Sequence, residues 1–308
     1  MKTYTIVSTF PEYGSKNIGD NLITLATIDA IKAVKGPDVG INVVWREAQW
    51  ELVRDSILKS DAVIFACLAI RKNMRQKEYP FLEHVVKAKI PFGIIAAGTR
   101  VPTTIKVEGG DIFNYITVDS LDLLKKAADK ALFFTNRGVL SQEFCNYHGI
   151  KSEFSGDIAF YDQRFLQRKF ESGKLIKRIA ISDPHYAQFF LKSFDKLTNG
   201  IKQMFPNAEI DVLLHGINPI IEQHCSKQAI RCLKIYEDKE KGLDIYDNYD
   251  LHVGFRIHAH VSALSRRKYS YLLEQDGRGN DYGLTIERKL SVNSFVQRAE
   301  SSSKIDKL

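Results

Sequence analysis

The feature that most restricts the fold is an alternation along the chain. Short runs rich in apolar and β-branched residues are each followed by a longer stretch whose apolar positions recur with helical spacing. That rhythm calls for parallel strands in helix-covered sheets, because a return to a parallel neighbour needs a crossover long enough to hold a helix. Residues 3–8, 39–45, 62–66, 92–96 and 131–136 read as strands, and 21–34, 50–59, 79–88, 120–128 and 141–148 as helices. The pattern lapses over 161–177, a polar and basic stretch that reads as a linker or connecting helix. It resumes with strands at 178–182, 210–215, 229–233, 251–253 and 269–273, and helices at 189–204 and 257–264. The expected architecture is α/β, with two Rossmann-like domains (1–160 and 161–308) facing a cleft. Ligands of such sheets sit outside the carboxyl ends of the strands.

Several function classes are set aside by what the chain lacks. Its longest apolar stretches, such as 61–70, are too short to cross a bilayer as a helix. The N-terminus reads as a first strand rather than a leader, so the expected location is the cytoplasm, with peripheral association at the inner membrane face as a further option. The formal charge of +7 suits anionic partners, but the basic residues are dispersed and form no aromatic-interleaved nucleic-acid motif. Anionic small substrates in a basic cleft fit at least as well. Four scattered cysteines (Cys67, Cys145, Cys225 and Cys232) give no Cys-x-x-Cys pair. Cys67 reads as a small core residue of an apolar strand, and His224-Cys225 has no second pair to complete a metal site.

Three stretches carry candidate chemistry. Gly14-Ser-Lys-Asn-Ile-Gly-Asp20 joins the first strand to the first helix. Gly19 permits close backbone approach, Lys16 and Asn17 are ligand candidates, and Asp20 can bind or, more simply, cap the helix. Thr135-Asn-Arg-Gly-Val-Leu-Ser-Gln-Glu143 runs from a strand end into a helix. It offers Arg137 as a fork for carboxylate or phosphate and Ser141 as an N-cap; the plain alternative pairs Arg137 with Glu143 at the surface. Asp157 follows Gly156 and either orients that site or makes a turn.

The strongest stretch is Asp250-Leu-His-Val-Gly-Phe-Arg-Ile-His-Ala-His260. A strand turns at Gly254 and delivers Arg256, a fixed charge, and His258, a proton donor or acceptor, to the start of a helix. His252 and His260 read as structural. Glu274 and Asp276 lie in the polar, glycine-rich loop that follows the next strand.

At these residues the chain resembles the polysaccharide pyruvyl transferase family. Asn17-Ile-Gly-Asp20 matches its Asn-x-Gly-Asp loop, and Arg137, Ser141, Gly149 and Asp157 match its Arg-x-x-x-Ser element with the Gly and Asp that follow. Gly254-Phe-Arg-Ile-His-Ala259 matches its Gly-x-Arg-Leu-His-Ala element. Two departures stand out: Ala66-Cys-Leu-Ala69 replaces a Gly-Gly-Gly run, and Arg137-Gly138 replaces an Arg-Asp pair.

The resemblance implies a fold of the glycosyltransferase B type, phosphoenolpyruvate as donor substrate, and a sugar acceptor that is lipid- or nucleotide-linked. It implies Arg137 and Arg256 as clamps on the donor's carboxylate and phosphate, and His258 as the acid that protonates its methylene carbon. Lys16, Asn17 and Asp20 would meet the acceptor. No redox cofactor, metal or nucleic acid is called for. The alternatives are a glycosyltransferase with a nucleotide-sugar donor and a non-catalytic carbohydrate-binding relative.

Overall fold

A computed structural model describes residues 1–10, 17–100, 113–171 and 173–288. The chain divides into two units. The first unit runs through β1 (Thr3–Ser8), α1 (Ile18–Lys35, from Asp20 onward), β2 (Gly40–Trp45), α2 (Trp50–Leu58), β3 (Ala62–Ala66), β4 (Ala69–Ile70), α3 (Leu82–Lys87), β5 (Phe92–Thr99), α4 (Val118–Lys130), β6 (Phe134–Asn136), α5 (Val139–Tyr147) and β7 (Glu153–Phe154). Its parallel sheet has the order β2-β1-β3-β5-β6-β7, with the short β4 pairing β5 to one side. The inner strands β1 and β5 are buried along nearly their whole length, as strands covered on both faces must be. Phe65 anchors the core, edge-on to Tyr79 and Phe92 and stacked on Phe81.

Within 79–88, only Leu82–Lys87 is α-helical. Pro80 disfavours helical geometry at Tyr79 before it, and the Tyr79 hydroxyl instead accepts the Ala69 N–H at 2.7 Å.

The second unit contains β8 (Arg178–Ser182), α6 (Ala187–Met204), β9 (Glu209–Leu213), α7 (Pro219–Lys227), β10 (Arg231–Leu233), β11 (Leu251–Gly254), α8 (Ile257–Ser265), β12 (Tyr269–Leu272) and α9 (Gly277–Ile286). The sheet order is β10-β9-β8-β11-β12, all parallel. Chain direction across the sheet reverses between β8 and β11, the switch point where doubly wound sheets open a crevice. Helix α6 forms because Phe190, Phe194, Leu197 and Ile201 fall on one face and are buried there. Truncating Phe194, fully buried, to alanine would cost about 3–5 kcal/mol.

Two helices lay outside the periodic pattern. Helix α7 is set by Asn218-Pro219: the Asn218 side chain accepts the Ile221 N–H and proline occupies the first helical turn. Helix α9 replaces the expected polar loop. Asp276 caps it by accepting the Arg278 and Gly279 amides, which offsets the low helix propensity of Gly277, Gly279 and Gly283.

The basic stretch 161–177 starts at the boundary between the two units and forms no α-helix among its described residues. It makes a 3-10 turn at Gln163–Phe165. Phe165 is buried there, with the guanidinium groups of Arg164, Arg168 and Arg266 over its ring at 4.9, 4.3 and 4.6 Å.

Candidate active site

The second unit's site is built across the β8/β11 switch point. Strand β11 ends at Gly254, whose φ of +152° few side chains adopt. A Cβ there would lie 2.4 Å from the Ser182 hydroxyl and 2.5–2.6 Å from its backbone O and N. Glycine is thus required for β11 to close on β8. The chain then turns, Arg256 takes the N-cap position of α8 in extended geometry, and His258 enters its first turn.

Arg256 and Asp183 form a two-pronged ion pair: Nε to Oδ1 at 2.9 Å and Nη2 to Oδ2 at 2.6 Å. Both side chains are buried, so the pair needs its supporting hydrogen bonds. Asp183 accepts also from the His215 amide (3.1 Å) and Asn218 Nδ2 (2.7 Å). Arg256 Nε donates in addition to the Asp183 carbonyl. With one edge locked on Asp183, Arg256 Nη1 donates to Nδ1 of His185 at 3.1 Å.

Sequence reasoning missed His185. It follows β8 in Ser182-Asp-Pro-His185, which reads as a turn. Its backbone N–H is fixed by Gln275 Oε1 at 2.8 Å, and Gln275 in turn donates to the Phe255 carbonyl. Because His185 Nδ1 accepts from a guanidinium, the proton of the neutral ring sits on Nε2. Partial burial, then the charges of Arg256 and Arg278, push its pKa down to about 4.

Behind the turn, the histidines read as structural prove to be a buried array. Ser182 Oγ accepts the Arg256 amide and meets His252 Nε2 at 2.9 Å. His252 Nδ1 meets Ser270 Oγ at 2.7 Å, and so does His260 Nδ1. These three bonds are mutually compatible when Ser182 donates to His252, His252 to Ser270, and Ser270 to His260. His215 is fully buried with Nε2 2.7 Å from the Tyr246 hydroxyl. Burial holds His215, His252 and His260 neutral, His260 at about 3.

The other expected residues fall as follows. Glu274 and Asp276 follow β12, whose end is tied to the Gly254 turn by Leu273 N–H to the Gly254 carbonyl at 2.8 Å. Both carboxylates are buried, and Asp276 also binds the Arg278 guanidinium. Residues 17–19 group with the second unit, where a Cβ on Gly19 would meet His258 Nδ1 at 2.4 Å. Gly19 and the Gly254–His258 turn are therefore brought together. Asn17, not Asp20, faces the start of α1: its Oδ1 accepts the Gly19 amide at 3.1 Å. Helix α1 starts at Ile18, one turn earlier than expected, which puts Asp20 inside the first turn, where it complements the helix dipole without capping. Lys16 lies outside the described residues.

In the first unit, Arg137 leaves the end of β6 and is buried rather than paired with Glu143 at the surface. It lies across β5: a Cβ on Gly98 would meet its Nε at 2.2 Å. Its Nη1 is 3.8 Å from Asp157 Oδ2, and Asp157 Oδ1 accepts the Ala159 amide at 2.8 Å. Ser141 is not an N-cap, because α5 begins at Val139; its hydroxyl accepts the Thr99 amide at 2.9 Å and joins the helix to β5. Cys67 falls just beyond β3, in a left-handed conformation (φ 50°), with its thiol directed at Asp157 Oδ1. Burial and Asp157 push that thiol's pKa well up, so it is no nucleophile at neutral pH.

Among the described residues, no cluster of His, Cys, Asp or Glu is arranged to hold a metal ion, and no helix is long and apolar enough to cross a membrane.

Comparison with solved structures shows the fold. Staphylococcus aureus MnaA in complex with UDP is 12% identical, with a TM-score of 0.56 over 99% of this chain and 88% of that one. Methanocaldococcus jannaschii UDP-GlcNAc 2-epimerase, in complex with UDP-GlcNAc and UDP, is 13% identical with a TM-score of 0.54, covering 99% and 92%. The Neisseria meningitidis UDP-GlcNAc 2-epimerase, bound to UDP-GlcNAc, is 12% identical with a TM-score of 0.53, covering 100% and 92%. The architecture is the α/β, two-Rossmann arrangement of the glycosyltransferase B type. No curated protein matches the chain in sequence. Residues 17–276 match the family described as polysaccharide pyruvyl transferase, a span that takes in both the Asn17–Asp20 loop and the Gly254–His258 turn. The chain belongs to the polysaccharide pyruvyl transferase family.

Proposed function

We propose that this chain transfers pyruvate from phosphoenolpyruvate to two hydroxyls of a sugar of a polysaccharide or glycan precursor, forming a ketal. The observation that carries the reading is the Gly254–His258 turn at the β8/β11 switch point, where a guanidinium and an imidazole emerge in a member of this family. Phosphoenolpyruvate brings a carboxylate and a phosphate, and the turn supplies a positive field. At His185, burial first and then the charges of Arg256 and Arg278 disfavour a proton on the ring. Arg256, oriented by Asp183, holds the donor, and Arg137, in the first unit, keeps the anion-binding role that the resemblance gives it.

In this mechanism His258 gives a proton to the methylene carbon, which becomes the methyl group. The central carbon turns electrophilic and one acceptor hydroxyl adds to it, losing its proton. Phosphate then leaves with the enol oxygen, and the second hydroxyl closes the ketal. General acid catalysis of this kind is worth about two to four orders of magnitude in rate. The donor carries its own leaving group, so the route calls for no redox cofactor. Asn17, Gly19 and Asp20 face the acceptor in this reading.

The test is phosphate release from phosphoenolpyruvate across a panel of nucleotide- and lipid-linked sugars. Acceptor-dependent release that disappears in His258→Ala and Arg256→Ala is expected. Release with none of the acceptors, together with no binding of phosphoenolpyruvate, would overturn the donor assignment and favour a nucleotide-sugar donor. Sugar binding without turnover, unchanged in His258→Ala, would make the chain a carbohydrate-binding relative.

A further inference from the structure

The second unit has another pocket, of about 350 Å³, at the opposite edge of its sheet. It opens where β11 and β12 begin, beside Asp250 and Tyr269. Four residue steps along β11 separate Asp250 from Gly254, which puts the two places about 13 Å apart. Six basic side chains line it: Arg168, Lys169 and Lys174 from the segment before β8, and Arg266, Arg267 and Lys268 from the α8–β12 turn. Glu171 and Asp250 are the carboxylates in the same wall.

Part of this charge is already balanced. Arg168 pairs with Asp247, Arg266 with Asp244 and Asp247, and Lys174 with Glu171 and Asp250. Arg267 is held differently. Its Nε donates to the Arg168 carbonyl at 3.1 Å, and its Nη1 to the Ser265 and Leu264 carbonyls at 3.0 and 3.4 Å. Carbonyls orient a guanidinium without cancelling its charge. Lys169 and Lys268 likewise pair with no carboxylate among the described residues.

Arg267 lies in the turn between α8 and β12. It occupies a left-handed conformation (φ 59°) just after α8, where helices commonly end on glycine. The closing bonds of that motif are present, Arg267 N–H to the Leu264 carbonyl and Lys268 N–H to the Ala263 carbonyl, both at 2.9 Å. Glycine would close the same turn with less strain. Ala229 after α7 and Glu287 after α9 take the same left-handed helix end, so the turn accepts a side chain, and here it sets Arg267 at the mouth of the cationic pocket.

We propose that this pocket is an anion site for a phosphate-bearing ligand. A guanidinium and two ammonium groups not committed to carboxylates suit a phosphate, whose oxygens accept from several donors at once. The ligand's source is either a soluble phosphate compound or an anionic lipid headgroup.

The full chain is tested for binding of inorganic pyrophosphate by calorimetry, and of phosphatidylglycerol-containing vesicles by flotation. Wild type is compared with Arg267→Gly, Lys169→Glu and His258→Ala. Arg267→Gly is expected to keep or raise the melting temperature while weakening binding at least tenfold, and Lys169→Glu to weaken it without unfolding. His258→Ala keeps the binding, which separates this pocket from the Gly254 turn. Loss confined to pyrophosphate identifies a soluble ligand; loss confined to vesicles identifies a headgroup. Equal affinity in all three variants, or no binding of either probe to wild type, overturns the proposal.

Discussion

Replacing Asp183 by alanine tests how the Arg256 guanidinium is held. The carboxylate is fully buried and Arg256 nearly so, so the substitution strands a charge in low dielectric and removes the acceptor of the His215 and Asn218 donors. Breaking a buried pair from one side costs about 3–5 kcal/mol. With a urea slope of about 2 kcal/mol per molar, the second unit's midpoint should fall by roughly 1.5–2.5 M. Both tryptophans, Trp45 and Trp50, lie in the first unit. Tryptophan emission therefore follows the first unit alone, and far-UV circular dichroism follows both. The loss should appear in the dichroism component that emission does not track. The pair Asp183→Leu with Arg256→Met should recover at least half of it, because no charge is left behind, while acceptor-dependent phosphate release stays absent. If Asp183→Ala shifts stability by less than about 1 kcal/mol, the carboxylate does not hold Arg256 in solution and the reading fails.

Other substitutions probe folding and activity. Gly254→Ala sets a methyl against the Ser182 backbone, and overpacking there should cost at least about 1–3 kcal/mol; thermal melting at unchanged stability would refute the tight β8/β11 closure. Gly98→Ala sets a methyl against the Arg137 guanidinium, so it should displace that side chain from the buried Asp157, lowering activity by tenfold or more and the melting temperature with it; unchanged activity would refute a role for Arg137. Acid should destabilise the second unit before carboxylates titrate. His260 is held at about 3 and His185 at about 4, below the ordinary 6.5, so the unfolded chain takes up their protons first as pH falls. Stability contributed by the neutral rings is complete above pH 6.5 and declines below it. Melting temperatures between pH 7 and 5 should show the fall, with a shallower slope in His260→Gln; a rise over that interval contradicts the assignment.

Most of the scaffold was legible because parallel strands buried on both faces leave continuous apolar runs, as in Arg178–Ser182. The Gly254–His258 turn was legible too, since it puts glycine, arginine and histidine at the end of such a run. What escaped depends on partners remote in sequence. Asp183 and Arg256 are 73 residues apart, and nothing in Asp-Pro-His marks that carboxylate as the arginine's counter-charge. Helix α9 escaped because its glycines outweigh its single strong signal, the Asp276 cap. Cys67 was misread as a strand residue because an apolar run does not show where the backbone turns left-handed. Asp20 and Ser141 were misplaced as caps by a shift of a few residues in where their helices begin.

The division of the second unit's site between β8 and β11 also has a kinetic side. Ser182 and Asp183 arrive at the end of one strand and Gly254 and Arg256 at the end of the other, with β9, β10 and the helices α6 and α7 synthesised or collapsed in between. Joining the two edges closes a loop of about 73 residues, at an entropic cost of about 4 kcal/mol before any contact offsets it. Neighbouring elements such as α7 and β10 need no such closure. The crevice is therefore among the last parts of the unit to exist during folding, and competence to bind an anion there should lag behind the appearance of helical signal.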